Sequence, residues 1–253
     1  MKKFISVALI FMVSFHVSAQ KKDTLLINAA SLRVEKLKTG NSLYLVYYKS
    51  GNNPVIQNPT CVQINVGKEN RDGKNWIISK QVWQTDTIIH TSLTQFEENS
   101  LRTAKHISWW KRKGYTERID FETKQVSFEG KINEEIKVKV SESVNAVLNN
   151  DFLNWHSDLI IFPLLPFQEN RVFRINFYEP GFAKPTDELY EVLKSETIAI
   201  AGTGVECWVL NYQVAKPEGY QRFWISKASN ELLKEEDKFG SFYRYKLKLI
   251  VAE

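Results

Sequence analysis

The sequence predicts a mainly β protein, an antiparallel meander whose sheet is covered on both faces. Three observations carry this. Runs of alternating apolar and polar residues recur about every ten residues with turn clusters between them, the spacing of consecutive antiparallel strands. Near the C-terminus both faces of the strands are apolar: Val205, Cys207 and Val209 alternate with Trp208, Leu210 and Tyr212. Side chains alternate across a strand, so large apolar groups on both sides need cover on both sides. Aromatic residues make up 13% of the 253 residues, including seven Trp, and such rings are favoured in sheets.

The chain opens with a signal peptide over residues 1–19. Lys2 and Lys3 give a positive start, Phe4 to Phe15 an apolar run, and Val17-Ser18-Ala19 small residues before a cleavage ahead of Gln20. The apolar run falls short of the roughly 20 residues needed to span a bilayer, and no later run is long enough either. The expected location is periplasmic or secreted, with residues 20–253 forming a single domain and no transmembrane segment after cleavage. The formal net charge of +5 includes Lys2 and Lys3, so the exported part is only mildly basic.

Strands are expected over Ser42–Lys49, Thr60–Val66, Trp76–Trp83, Asp86–Phe96, Arg102–Trp110, Tyr115–Phe121 and Gln125–Phe128. Ser50 to Pro54 and Arg71-Asp72-Gly73 supply turns between them. Ile136, Val138 and Val140 alternate with Lys137 and Lys139, the pattern of a strand with one solvated face. From Val144 to Ile161 the apolar positions Val147, Leu148, Phe152, Trp155 and Leu159 fit helical spacing, and Pro163 and Pro166 end that segment. Strands resume at Arg171–Tyr178 and Leu189–Ile200, and three more run to the C-terminus. The helical segment separates two β-rich halves, which are expected to share one sheet.

Little in the sequence points to catalysis, a metal or a cofactor. His90, His106 and His156 lack a paired ligand spacing such as His-Glu-x-x-His and read as surface histidines. There is no Gly-x-Ser-x-Gly elbow. Gly202-Thr203-Gly204 lacks the Lys-Ser/Thr of a phosphate loop and reads as a hairpin turn. Glu97-Glu98 and Glu235-Glu236-Asp237 read as solvated edges. Lys111-Arg112-Lys113 after Trp109-Trp110 reads as a solvated turn rather than a nucleic-acid site. Trp109-Trp110 is also the candidate for a sugar-stacking surface, should one ring be exposed. Cys61 and Cys207 both lie in apolar strand runs. The expectation is two buried, unpaired thiols, and a disulfide between them, which export would permit, is the alternative.

The C-terminal residues carry a resemblance. YEVLKSETIAIAGTGVECWVLNY (190–212), then GYQRFWISKASNELLKEED (219–237), resembles the terminal meander of an exported bacterial family, domain of unknown function 3108. The upstream LIIFPLLPFQENRVFRINFYEPG (159–181) resembles the segment that precedes it. The likeness spans about Phe152 to Leu249. It implies a YmcC-like or lipoprotein-sorting-like fold: a strongly curved antiparallel sheet, a half-barrel, with one or two short helices against its concave face. It transfers no catalytic residue. Relatives in architecture that bind lipid do so in the concave face, a fold-level analogy.

The functional expectation is therefore a non-enzymatic periplasmic protein that binds a lipid or other apolar ligand, or an envelope protein, in that face. Trp208, Leu210, Tyr212 and Trp224 are the expected lining. The alternatives are a fully packed structural or interaction protein, then a hydrolase or a carbohydrate-binding module.

Overall fold

In the computed structural model, residues 23–148, 150–180, 186–214 and 219–249 are described; the signal peptide and its cleavage site lie outside them. The first half contains β1 (Asp23–Ile27), β2 (Gly40–Ser50), β3 (Gln57–Arg71), β4 (Lys74–Gln84), β5 (Ile88–Glu97), β6 (Thr103–Trp110), β7 (Tyr115–Asp120) and β8 (Gln125–Gly130). Helix α1 (Glu134–Val147), β9 (Leu153–Asn154) and α2 (Asp158–Ile161) come next. The second half contains β10 (Arg171–Tyr178), β11 (Thr186–Val192), β12 (Glu196–Ile200), β13 (Thr203–Val214), β14 (Gly219–Ser226), β15 (Leu232–Phe239) and β16 (Phe242–Leu249).

All sixteen strands belong to one open, mostly antiparallel sheet. The two meanders join where β16 pairs with β2, Tyr245 opposite Tyr47. The path runs from β1, which pairs parallel with β10, to β8 at the other edge. Local chemistry sets several turns. Asp72 and Gly73, both at positive φ (54° and 72°), close the β3–β4 hairpin with two residues, the Asp-Gly turn whose twist matches the strands. Ala201-Gly202 does the same between β12 and β13.

The expected strand at Ile136–Val140 is instead the start of α1. Asn133 caps it, its Oδ1 accepting from the Glu135 amide at 2.7 Å. Glu134 and Glu135 lie where the helix dipole favours negative charge, and Lys139 pairs with Glu135 one turn on. Val140, Val144 and Val147 form the buried stripe, while Val138 stays exposed. They pack on Ile119 of β7 and on Tyr178 of β10, so α1 lies between the two open ends of the sheet.

The expected continuous helix over 144–161 breaks after Val147. From Leu153 to Leu165 the chain instead forms a compact plug of short turns, lodged on the concave side. Phe162, fully buried, packs its ring at 5.8, 5.2 and 4.6 Å from those of Phe177, Tyr190 and Phe223, three residues from three different strands. The expected strand over Leu189–Ile200 also divides, into β11 and β12, which pair with successive parts of β13.

Candidate functional site

Register decides which of the expected lining residues face inward. Opposite residues of an antiparallel pair share a face, and β13 pairs with β14 as Trp208↔Ile225, Val209↔Trp224 and Leu210↔Phe223. Trp208, Leu210 and Tyr212 are therefore concave. Trp224 is not: it lies on the convex side with Cys207 and Val209, and its indole N–H donates to Glu196 at 2.8 Å. Cys61 and Cys207 are free thiols, Cys207 buried as expected but Cys61 exposed on the outer face of β3, so the disulfide alternative and the burial of Cys61 both fall.

The concave face is largely filled by the protein's own chain. Leu210 is buried against the plug, and Trp208 stacks on Phe167 at 5.8 Å with Lys227 over its ring at 4.2 Å. Tyr212 alone of the expected set borders open space. It lines a cleft of about 220 Å³ with Trp155, Phe177, Glu179, Thr186, Glu188 and Gln221. The sheet builds this cleft by aligning neighbours: Phe177 faces Thr186 across β10 and β11, and Tyr212 faces Gln221 across β13 and β14. Trp155 enters from the plug, its ring edge-on to Phe177 at 4.9 Å.

The cleft carries two carboxyl groups, Glu179 and Glu188. Burial, and then the neighbouring Glu188 carboxylate, push the Tyr212 hydroxyl up to about 12, which keeps it protonated. The Glu179 carboxyl is raised by burial, although Lys113 and Arg112 pull the other way. Behind the cleft, Gln221 lies opposite Asp237 of β15. Asp237 belongs to a buried network with Asp158, Glu235, Arg244 and Lys246. Lys246 Nζ is 2.6 Å from Glu235 and 3.6 Å from Asp158, and Arg244 Nη2 donates to Glu235 at 2.9 Å and also pairs with Asp237. Burial, and then the Glu235 charge, push Asp237 up to about 7. The acidic run expected at a solvated edge thus puts Glu235 and Asp237 inside, because β16 brings Lys246 and Arg244 opposite them.

The histidines, expected at the surface, form a second polar cluster on β5, β6 and the plug. His106 shares its Nδ1 with Thr94 Oγ1 at 2.9 Å and Asn154 Nδ2 at 3.3 Å. Its ring stacks on His156 at 4.8 Å, and His90 stacks on Trp110 at 3.7 Å. Trp110 is half-buried, its ring held between His90 and, at 4.9 Å, Arg112. Burial drives His90 down to about 4 and His106 to about 3, so both are neutral at pH 7. Stacked rings do not converge their nitrogens, and no group of three His, Cys, Asp or Glu among the described residues is placed to hold a metal. Thr94, hydrogen-bonded to His106, is 1% exposed, so solvent and substrate do not reach that pair. This cluster is buried and neutral at pH 7.

A profile of the family described as protein of unknown function, DUF3108, matches residues 43–248. The chain belongs to that family. Among curated proteins none matches this DUF3108 chain. Among solved structures, it is similar to the hypothetical lipoprotein YmcC from Escherichia coli, at 13% identity and TM-score 0.32 over 83% of this chain and 87% of the other. It is also similar to a β-barrel-like DUF1849 protein from Brucella abortus, at 6% identity and TM-score 0.36 over 85% and 99% of the two chains. A DUF1329 family protein from Desulfovibrio piger matches at 12% identity and TM-score 0.32 over 86% and 87%. No helix among the described residues is long and apolar enough to cross a membrane.

Sequence reasoning found Tyr212 but missed Glu179, Glu188 and Gln221. They stand on or beside three different strands, and only the pairing register brings them to one place.

Proposed function

We propose that this DUF3108 protein is an exported, non-enzymatic binding protein that holds its ligand or partner at the cleft beneath Tyr212, not along the concave face. The carrying observation is that the plug occupies that face and leaves a gap of about 220 Å³ at its mouth. Pockets that enclose drug-sized ligands run to roughly 300–1,000 Å³. The cleft therefore suits one projecting group of a larger molecule rather than an acyl chain lying in a cradle. Export rests on the charged, apolar and small-residue pattern of residues 1–19.

Two measurements test this. Native mass spectrometry of protein recovered from its own envelope is expected to give a mass starting at Gln20 with no lipid adduct. A retained lipid would restore the cradle, and an intact Met1 would remove export. A ligand-observed NMR fragment screen is expected to give hits that vanish in Thr186→Trp, which fills the cleft from its exposed rim. Hits that persist in that variant, or no hits at all, refute the site and favour the fully packed structural reading.

A further inference from the structure

We propose that the cleft binds an organic cation, the ammonium or guanidinium head of a basic side chain presented by a partner polypeptide. The inference rests on the preceding reading of the cleft as a binding site and adds the chemistry of its occupant.

Three kinds of group converge there. Aromatic walls come from Trp155, Phe177 and Tyr212, whose ring faces attract cations and whose bodies cover an aliphatic stem. Two carboxylates come from Glu179 and Glu188, and no ion pair holds either among the described residues. Glu188 lies near the Tyr212 hydroxyl and lines the opening. The third group is Gln221. It is 8% exposed, lines the cleft, and its side-chain amide makes no hydrogen bond among the described residues. Its amide opens into the cleft, and the amide oxygen is an acceptor for an incoming N–H donor.

Behind Gln221 the plug and β15 supply Asp158, Glu235 and Asp237, and β16 supplies Arg244 and Lys246 in mutual ion pairs. Burial raises Asp158 and Asp237, so this network adds little net charge and the negative charge at the cleft rests on its own carboxyl groups. Beyond β6, Arg112 and Lys113 favour the charged form of Glu179 against its burial, and Lys113 also faces Glu117 at 3.9 Å. An incoming cation beside Glu179 favours that charged form further. A metal ion would want converging ligands and has none here among the described residues. A cation on an organic stem uses carboxylates, amide and rings together.

The test uses ¹⁵N-labelled full-length exported protein and follows the Trp155 indole and Gln221 amide signals. The probes are N-acetyl methylamides of lysine, arginine, glutamine and glutamate, short peptides with a central Lys or Arg, and spermidine as a free polyamine. The expected result is that lysine and arginine probes shift both signals while the glutamine and glutamate probes do not. Binding should weaken with added salt and fall by about tenfold or more in Glu179→Gln/Glu188→Gln, whose melting temperature stays that of wild type. The peptides should bind more tightly than spermidine.

Equal binding of the glutamine probe, or undiminished binding in the double variant, overturns the cation while leaving the cleft a binding site. Tighter binding of spermidine than of every peptide overturns the polypeptide source. Silence of all the probes where fragments still bind at the Thr186 rim sinks the cation alone.

Discussion

Lowering the pH from 7 to 5 should cost this protein stability through its histidine core, and His106 isolates the effect. The group is held at about 3 in the folded state by burial, then by the neighbouring His90 and Lys113, against an ordinary 6.5. The sign comes from proton counting. Between those two values the unfolded chain binds the proton and the folded chain does not, so stability is full above pH 6.5 and falls as the pH drops below it. Each pH unit inside the window is worth about 1.4 kcal/mol, and titration of the unfolded imidazole from pH 7 to 5 amounts to about 2 kcal/mol for His106. His90, held at about 4, adds a similar amount of about 2 kcal/mol. Asp237 works in the opposite direction: raised by burial and the Glu235 charge, it takes up a proton in the folded state over the same range and offsets part of that loss. The whole-protein slope is therefore smaller than the histidines alone would give. Comparing wild type with His106→Gln removes that difficulty, because every other group is common to both. Urea unfolding at pH 7, 6 and 5 should show the wild type losing about 2 kcal/mol relative to the variant. A stability difference that does not change with pH would mean that His106 is solvated and titrates normally, and the closed polar core would be wrong.

Phe162→Ala should destabilise the protein by about 3–5 kcal/mol, since the ring is fully buried at the centre of the plug. Trp208→Ala should cost less, because that ring is only partly buried; equal melting temperatures for the two variants would contradict the central place given to the plug. Maleimide should label Cys61 in the native protein and Cys207 only after unfolding, since burial pushes the Cys207 thiol up to about 11; an unchanged thiol count after reduction checks that no bridge forms. Gly219→Ala should lower the urea midpoint, because a Cβ there would meet the Lys238 carbonyl oxygen at 2.0 Å and force the β14–β15 backbones apart, a strain of about 1–3 kcal/mol. A midpoint equal to that of wild type would show that the strands have room to give.

Much of the fold was legible in the residues because its causes are local. Alternation located the strands from β2 to β8 and β10, and Asp72-Gly73 and the Gly202 turn marked their hairpins, since period-two patterning and positive-φ turns act over a few residues. The same logic failed at Ile136–Val140, where a short alternation competed with an Asn133 cap and paired Glu and Lys charges, and the helix won.

The candidate site divides along the same line. Alternation alone puts Trp208, Leu210 and Tyr212 on one face of their strand, and Phe223 and Ile225 on one face of theirs. Which faces coincide was decided by register, which joined Phe223 to Leu210 and sent Trp224 to the convex side. Register likewise turned an apparently solvated Glu235-Glu236-Asp237 into two buried carboxylates opposite Lys246 and Arg244, and gathered three distant histidines into one stack. Strands, most turns and the alternation of side chains are written in the residues themselves, because backbone sterics and immediate neighbours set them. The filling of the concave face by Phe162 and its plug, and the cleft left beside Tyr212, are not. They arise from contacts between residues far apart in the chain, whose pairing no local pattern encodes.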